Sequence, residues 1–243
     1  MDISAYKELS ELQKKHWWFR ARTNIISAVL SKYVKKSETR QIIEIGCGAG
    51  GNISLLKEFG HVSGLEMEPS VAEYAKKNTY ADIRIGHMPD NIPFNNKFDI
   101  ACMLDVLEHI ENDKEAVSAV HTMLSDKGLF VLTVPAYNWL YGKHDKILHH
   151  KRRYTKDVLI KLLSDNGFEI LNASYFNTLL FPLVAAARVF EKIVNSSGQA
   201  IGFQTPADPI NFFLYSVFSL EAGMLSKISL PFGASLIIIS RKK

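Results

Sequence analysis

The chain has 243 residues, of which 47% are hydrophobic and 22% charged, and its mean hydropathy is −0.01. A chain of this size and composition can bury a sizeable core, which excludes disordered, collagen-like and low-complexity proteins. Its 29 Lys and Arg residues against 25 Asp and Glu residues give a net charge of only +4, too small an excess for a dedicated nucleic-acid-binding protein. We therefore expect one large folded domain, with or without an appendage, and no nucleic-acid partner.

The cysteines and the apolar segments limit where the protein can work. Cys47 and Cys102 form no CxxC pair, so we expect neither a disulfide framework nor a zinc site, and a reducing compartment fits. Residues 1–15 lack the apolar core of a signal peptide. The most apolar window, Leu179–Ala187, is too short to cross a bilayer. The sequence thus predicts a cytoplasmic protein, with peripheral contact at the inner membrane face left open.

The predicted elements begin with an N-terminal helical cap over residues 1–40. This cap holds the aromatic segment HWWFRAR and an amphipathic stretch over 24–34, and it ends in the charged sequence KKSETR. From 41 to 177, short β-rich runs such as IIEI, HVSGLE and FDIACML alternate with helical periods. Such alternation indicates βαβ units and a parallel sheet with helices on both faces.

The last part of the chain departs from this rhythm. Residues 178–230 precede a final strand within 231–243, and a connection of that length needs its own structure. We predict two apolar helices, at about 178–194 and 209–227. This insert could cap the core, form a dimer face or meet lipid. Its large apolar side chains are too many to stay exposed on a monomer, so burial against the sheet domain is the favoured interpretation.

A glycine-rich segment, IIEIGCGAGGN, joins an apolar strand to a predicted helix start. Glycines at such a turn let the backbone approach a ligand, whose polar groups meet the free N–H groups of the helix start. Gly46, Gly48 and Gly51 also fit G-x-G-x-x-G, and Glu66 stands 20 positions after Gly46, where a dinucleotide site places its ribose-binding acid. The loop alone therefore leaves the type of nucleoside cofactor open.

Glu44 separates the two types of cofactor. It lies just before the first glycine, at the carboxyl end of the strand. A carboxylate there would repel a pyrophosphate, because like charges a few ångströms apart repel. S-adenosylmethionine carries an ammonium and a sulfonium and no phosphate, so a nearby acid attracts it.

Four motifs in order resemble the class I S-adenosylmethionine-dependent methyltransferases. EIGCGAG is similar to the first motif of that family, GLEMEPS to the acid-bearing turn after the second strand, FDIACMLDVLEHI to the fourth strand with the helix start behind it, and LSDKGLFVLTVP to the turn into the fifth strand. The resemblance implies a Rossmann-like α/β fold with a seven-stranded, mostly parallel sheet, helices on both faces and an antiparallel last strand. It also implies S-adenosylmethionine as cofactor and S-adenosylhomocysteine as product.

The resemblance assigns cofactor contacts by position. The glycine loop would line the methionine and ribose, Glu66 would bind the ribose hydroxyls, and Glu44 would meet the amino group through water or support the loop. His87 departs from the acid that this family places near the adenine amine. The cofactor-binding residues implied are Glu44, Gly46, Cys47, Gly48, Gly50, Glu66, Met67, His87, Met88, Leu104 and Asp105.

Candidate catalytic residues come from the loops after the fourth and fifth strands, because ligands in such sheets sit outside the carboxyl ends of the strands. Methyl transfer from a sulfonium needs positioning and proton removal, so no metal site is expected. His144 is the first candidate base, with Asp145 beside it, followed by His150 and His109, since histidine titrates near neutral pH. Packing or capping of a helix is an equally good interpretation of His109.

The acceptor site is expected between the loop after the fifth strand and the N-terminal cap. HWWF and PAYNWLYGKHDKILHHKRRYT together resemble a bacterial subgroup, similar to methyltransferase types 11, 12 and 23, many of whose members act in surface-glycan or lipid-linked pathways. Two arginines at a helix start oppose its dipole, which favours binding an anion or pairing with internal acids. The candidate substrate-binding residues are His16, Trp17, Trp18, Tyr137, Trp139, Tyr141, Arg152, Arg153 and Tyr154.

The sequence thus predicts a methyltransferase that acts on an O or N atom of a small or amphiphilic acceptor, which a glycan- or lipid-linked compound would satisfy. A homodimer and a peripheral membrane contact stay open. One alternative is an NAD-dependent oxidoreductase, which leaves Glu44 and DVLEHI unexplained. Another is a non-catalytic protein that binds S-adenosylmethionine without transferring the methyl group.

Overall fold

The computed structural model describes residues 11–194 and 205–243, and its strands form one seven-stranded sheet. The strands are β1 (Gln41–Ile45), β2 (His61–Glu66), β3 (Asp82–Ile85), β4 (Phe98–Leu104), β5 (Leu124–Pro135), β6 (Phe168–Phe176) and β7 (Ser235–Lys242). The helices are α1 (Trp17–Tyr33), α2 (Ile53–Leu56), α3 (Pro69–Thr79), α4 (Asp113–Met123), α5 (Lys143–Ile147), α6 (Lys156–Asp165), α7 (Phe181–Val194) and α8 (Asp208–Leu225). Two short 3₁₀ helices span Leu107–His109 and Asn138–Leu140.

The strand order is β3-β2-β1-β4-β5-β7-β6. β1 to β5 pair in parallel, whereas β7 runs antiparallel to both β5 and β6. The order reverses between β1 and β4, and in open α/β sheets the crevice at this switch point, outside the carboxyl ends of the strands, binds ligands. The predicted Rossmann-like, seven-stranded, mostly parallel sheet with an antiparallel last strand is confirmed.

Both faces of the sheet are buried, because successive residues of each central strand point to opposite sides. Ile42 on β1 packs into the cluster that α1, α3 and α8 cover, whereas Ile43 packs into the cluster that α4 and α6 cover. Ile100 and Ala101 on β4 alternate in the same way. The near-continuous apolar runs in the sequence therefore reflect a sheet with helices on both faces.

The N-terminal cap is helical at residues 11–15 and again over α1, and the two stretches are separated at His16. His16 caps α1 by accepting a hydrogen bond on Nδ1 from the N–H of Trp18 at 3.2 Å, and the rest of the HWWFRAR segment forms the start of that helix. The expected amphipathic stretch over 24–34 is the second half of this helix rather than a separate element. Immediately before α1, the side chain of Gln13 lies against Gly51, so the cap reaches the glycine loop.

The helical insert packs onto α1 through α8. Asn211 accepts a hydrogen bond from the N–H of Trp17 at 2.8 Å and donates one to the carbonyl of Lys15 at 2.9 Å. Glu221, fully buried, accepts from the N–H groups of Thr178 and Leu179 and so ties α8 to the turn before α7. The two predicted helices are present, and part of the loop expected between them lies outside the described residues.

The expected burial of the insert holds only for one side of it. Phe218 is fully buried against the core, but Leu183, Phe190, Phe212 and Phe213 are each at least 60% exposed. α7 and α8 therefore each present large apolar side chains to the outside of the described structure. Among the described helices, none has the length and apolar character needed to cross a bilayer.

Asn211→Ala should lower the free energy of unfolding, because it leaves the part-buried N–H of Trp17 and the carbonyl of Lys15 without the amide that bonds to them. We expect a loss of about 1–3 kcal/mol, measured by urea denaturation monitored by circular dichroism. Ser216→Ala is the matched control on α8, since its hydroxyl bonds only to the carbonyl of Phe212 within the same helix. Equal stability of the two variants would contradict the role given to Asn211.

Candidate functional site

The glycine loop after β1 turns back onto β2 through three left-handed glycines. Gly46, Gly48 and Gly50 have φ angles of 68°, 52° and 86°, which non-glycine residues rarely adopt. A Cβ on Gly46 would approach Val106, and one on Gly50 would meet Thr79. A Cβ on Gly48 would meet no protein atom within 4 Å. The loop is therefore closed by packing on two sides and open at Gly48, where a ligand can approach the backbone.

Glu66 holds the glycine loop at the end of β2. One carboxylate oxygen accepts a hydrogen bond from the N–H of Gly48 at 2.9 Å, and the other accepts from the N–H of Glu68 at 3.0 Å. The side chain is 8% exposed. Because each carboxylate oxygen has more than one lone pair, these bonds leave acceptor capacity for a ligand beside Gly48.

Glu44 is a buried carboxyl group with an incomplete set of partners. Its Oε1 accepts a hydrogen bond from Asn52 at 2.6 Å, and its Oε2 is buried without a hydrogen-bond partner in the described structure. Burial raises the pKa of Glu44 to about 7, against the opposing effects of the Asn52 hydrogen bond and the Arg22 charge. A cation that reached Oε2 would find an acceptor that the protein itself does not use.

Arg22 connects α1 to the carboxyl end of the sheet. Its guanidinium forms an ion pair with Asp105 at 2.6 Å and donates hydrogen bonds to Thr133 at 3.1 Å and Asn52 at 3.3 Å. Thr133 in turn donates to Asp105 at 3.1 Å. A largely buried network thus joins α1, the residue before α2 and the ends of β4 and β5, and Glu44 is linked to it through Asn52.

The other predicted cofactor residues lie at or near the same end of the strands. Asp105 follows β4 with a φ of 59° and donates its N–H to the carbonyl of Thr133. Met67, which is 71% exposed, follows Glu66 directly. His87, Met88 and Leu104 lie on the segments that follow β3 or end β4, and Cys47 packs against Gly64 of β2. Burial raises the pKa of the Cys47 thiol, which keeps it protonated.

The loop after β5 is organised around Asp145. This residue is fully buried and accepts hydrogen bonds from His150 Nδ1 and Arg153 Nε, both at 2.8 Å, and from the N–H of Gly142 at 2.9 Å. Burial alone would raise the pKa of Asp145, but the bonds from His150 and Arg153 hold it below its ordinary value. Asp145 therefore holds His150 and Arg153 in place by direct hydrogen bonds.

Glu108 and His109 face this loop from the 3₁₀ helix after β4. Glu108 is fully buried, and its Oε1 lies 3.9 Å from His150 Nε2. The rings of His109 and His150 meet edge to face with centroids 4.7 Å apart. Burial and the charge of Asp105 raise the pKa of Glu108 well above its ordinary value. The three predicted groups His109, His150 and Asp145 are thus brought together, with Glu108 among them.

His144 lies on α5, close to α7. Burial, together with the charge of Arg188, lowers the pKa of His144 to about 4, so the ring is neutral at physiological pH. Arg188 forms an ion pair with Glu191 at 2.8 Å on α7. His144 therefore lies between the loop after β5 and the helical insert, within electrostatic reach of both Arg188 and Asp145.

An aromatic cluster lies where the insert meets this loop. Tyr137 stacks on Tyr175 with centroids 5.1 Å apart, and it lies near Trp139 and Phe181. Phe181 also contacts Phe232. Trp139 and Phe232 are 48% and 45% exposed. The cluster forms an accessible aromatic wall beside the end of β5, of the kind that accommodates a flat or apolar group.

The remaining candidate substrate residues have internal partners. Arg153 pairs with Asp145, and Arg152 pairs with Asp113 at 3.0 Å, so of the two interpretations of the arginine pair the structure shows the internal ion pairs. The hydroxyl of Tyr154, which is buried, donates to Asp113, and that of Tyr141 donates to the carbonyl of His150. On α1, Trp17 packs on Phe218, and Trp18 lies under the guanidinium of Arg22. His16 is buried as the helix cap.

Sequence reasoning missed four residues of the site: Arg22, Asn52, Glu108 and Thr133. A signal was available for Arg22, which shares a helix face with the buried Ile25, Ile26 and Val29. A charged residue on an apolar helix face needs a buried partner. Glu108 stood in the motif DVLEHI without a role. Nothing in the local sequence marks Asn52 or Thr133.

Comparison with known proteins identifies the family. Residues 17–173, more than half of the chain, match the model of a family described as "Methyltransferase domain". A protein named "Probable S-adenosylmethionine-dependent methyltransferase" from Mycolicibacterium smegmatis is 24% identical over 174 residues, which cover 70% of this chain and 66% of that protein. A ubiquinone biosynthesis O-methyltransferase from Rickettsia canadensis is 22% identical over 199 residues, covering 68% of this chain and 83% of the relative.

Solved structures share the fold. An S-adenosylmethionine-dependent methyltransferase from Mesorhizobium loti superposes with a TM-score of 0.59 at 17% identity, covering 88% of this chain and 96% of that one. A chain from the Haloferax volcanii complex of the Trm112 methyltransferase activator with a methyltransferase gives a TM-score of 0.62 at 15% identity, covering 98% and 93%. The family match over residues 17–173 shows that this chain belongs to the methyltransferase-domain family and is an enzyme of that class.

Proposed function

We propose that the protein transfers a methyl group from S-adenosylmethionine to a hydroxyl or amine of a small or amphiphilic acceptor. One observation carries the proposal. The open side of the glycine loop at Gly48 lies beside the carboxylate of Glu66, and an unsatisfied buried oxygen of Glu44 is close to the same loop. An open stretch of backbone and two buried carboxyl groups thus lie at the switch point of the sheet, which supports a cofactor that carries ribose hydroxyls and positive charge.

The residues at this site fit S-adenosylmethionine better than a dinucleotide. Gly48 leaves space for a ligand against the backbone, and Glu66 can accept hydrogen bonds from two neighbouring hydroxyls. The charge of Glu44 would attract the ammonium of the methionine part, through a water molecule or across the loop that it supports, whereas it would repel a pyrophosphate. Bound there, S-adenosylmethionine supplies a methyl group that is already activated by the positive sulfur.

The chain's own contribution to transfer is to position the acceptor and accept its proton. The aromatic wall of Tyr137, Trp139 and Phe181 would hold an apolar or ring-bearing acceptor at the carboxyl end of β5. His144 is the proposed base, since its neutral ring lies on α5, between that loop and α7. Such a displacement needs two contributions from the enzyme. The acceptor must be held in line with the sulfonium, and its proton must be removed.

The exposed apolar face of α7 and α8 supports an amphiphilic acceptor. Leu183, Phe190, Phe212 and Phe213 are largely exposed, and exposed patches of this kind mark interaction surfaces. A glycan- or lipid-linked acceptor at the inner face of a membrane would bring apolar groups to this surface. A second copy of the chain would cover the same side chains, which makes a homodimer the competing occupant.

Glu66→Ala should weaken binding of S-adenosylhomocysteine by roughly 10- to 100-fold, because hydrogen bonds to a charged group contribute about 1.5–3 kcal/mol. Isothermal titration calorimetry measures this change, and Glu73→Ala, an exposed acid on α3, is the matched control. The wild-type protein should bind S-adenosylhomocysteine and not NAD. Tight binding of NAD alone would overturn the proposed cofactor.

Glu44 should make cofactor binding depend on pH. A carboxyl with a pKa of about 7 is largely protonated at pH 6 and ionised at pH 8, and only the ionised form attracts the ammonium group. The affinity for S-adenosylhomocysteine should therefore rise between pH 6 and 8, with proton release on binding near pH 7. In Glu44→Gln the rise should disappear, and an unchanged pH profile in this variant would exclude Glu44 as the source.

His144→Ala should leave S-adenosylhomocysteine binding unchanged and slow methyl transfer by about 10²- to 10⁴-fold, the usual contribution of a general base. Transfer is followed with methyl-labelled S-adenosylmethionine and a cell extract, and the product is identified by mass spectrometry. His61→Ala is the control, because His61 is the first residue of β2 and lies at the end of that strand away from Glu66 and the glycine loop. Normal turnover in His144→Ala would exclude it as the base, and cofactor binding without turnover across glycan, lipid and phenolic acceptors would favour a non-catalytic protein.

A further inference from the structure

We propose that Glu108, His109 and His150 form a binding site for a divalent first-row transition-metal ion, with Zn²⁺ as its representative. One carboxylate oxygen and one ring nitrogen from each histidine lie within 4.8 Å of one another. This proposal departs from the expectation, drawn from the sequence, that the protein has no metal site. It does not depend on the identity of the cofactor or of the methyl acceptor.

Glu108 provides the strongest argument for an ion. Its side chain is fully buried, and neither carboxylate oxygen has a hydrogen-bond partner in the described structure. Leaving a buried carboxyl without partners is costly, and buried charges are ordinarily paired or bound to metals. Oε1 points towards His150 Nε2 at 3.9 Å. A cation between these two atoms would satisfy both of them.

His150 is oriented in the way that metal-binding histidines are. Its Nδ1 bonds to Asp145 Oδ1 at 2.8 Å, so the ring, with its proton on Nδ1, turns the lone pair of Nε2 towards Glu108. Metal-ligating histidines almost always donate their second N–H to a carboxylate or a backbone carbonyl, which fixes the tautomer and the ring. Asp145 is itself fixed by Arg153 Nε and the N–H of Gly142.

His109 is the third proposed metal ligand, next to Glu108 in the 3₁₀ helix after β4. Its ring has a backbone hydrogen bond with His149, which is the same kind of support that His150 receives from Asp145. The N–H of Lys151 donates to the carbonyl of Glu108 at 2.7 Å, so the two chain segments that carry the ligands are joined directly. The ring of His109 lies at the surface of the described structure, so an ion can enter from that side.

The ligand types select the class of ion. Two imidazoles and one carboxylate match zinc sites that keep an open position, and the same set binds other first-row divalent ions. Mg²⁺ prefers oxygen ligands and would compete poorly. With Zn–N bonds of about 2.0–2.1 Å, tetrahedral ligands lie roughly 3.3 Å apart, so side-chain rotations, chiefly of the exposed His109, must draw the three atoms together.

The test measures metal binding directly on the full chain. Protein is stripped with a chelator, returned to metal-free buffer and titrated with Zn²⁺ in competition with a chromogenic chelator. A parallel titration with Co²⁺ follows its visible absorption bands. We expect one equivalent of Zn²⁺, Co²⁺ bands typical of four or five ligands, and no displacement by millimolar Mg²⁺. Asp145→Asn should weaken Zn²⁺ binding by about 10- to 100-fold, and Glu108→Gln by more.

The controls separate this site from adventitious binding and from misfolding. His61→Ala and Glu73→Gln remove exposed groups of the same chemistry elsewhere and should bind Zn²⁺ as the wild type does. Circular dichroism shows whether Glu108→Gln folds. If it does not, Zn²⁺ binding by His109→Ala is compared with the wild type instead, because His109 is at the surface. The proposal is wrong if the wild type takes up no stoichiometric metal, or if Glu108→Gln and His109→Ala bind it as tightly as the wild type. S-adenosylhomocysteine binding measured on the same samples shows whether the cofactor proposal stands independently.

Discussion

The ion pair between Arg22 and Asp105 fixes the carboxyl end of the sheet to the N-terminal helix. Its atoms are 2.6 Å apart, and the guanidinium also bonds to Thr133 and Asn52. The side chain of Arg22 is buried and that of Asp105 is 24% exposed, so loss of Asp105 would leave a buried positive charge without its ion-pair partner. The pair links α1 to the ends of β4 and β5 and to the residue before α2, which are the elements around the crevice.

The fold was largely predictable because its signals are local and repeated. Alternating β-rich and helical periods indicate a parallel sheet. Apart from Asp99 and Glu44, FDIACML and IIEI are apolar throughout, because both sheet faces are covered. The helical insert was also predicted, since a long connection without its own structure is rare. Exposure of Phe212 and Phe213 was not predictable from apolarity alone. Which side of an apolar helix meets the core depends on its tertiary partner, here α1.

The candidate site was predictable wherever spacing along the chain carries the information. Glu44, Gly48 and Glu66 are close in sequence or at a fixed distance across one βαβ unit, so the motif predicted their neighbourhood. From the sequence, Asp145 was expected to assist His144, because the two residues are adjacent. In the structure Asp145 accepts hydrogen bonds from His150 and Arg153. Pairings across a loop depend on how that loop closes on itself. The same holds for Glu108, which lies about 40 residues from His150.

Asn211 joins the helical insert to the glycine loop through the start of the N-terminal cap. Its amide holds the backbone of residues 15 and 17, and Gln13, a few positions earlier, rests against Gly51. Only a few residues of chain therefore separate α8, which carries exposed apolar side chains, from the turn that follows β1. A displacement of α8 would pull on that turn through these residues, which gives two distant regions of the protein a direct mechanical coupling.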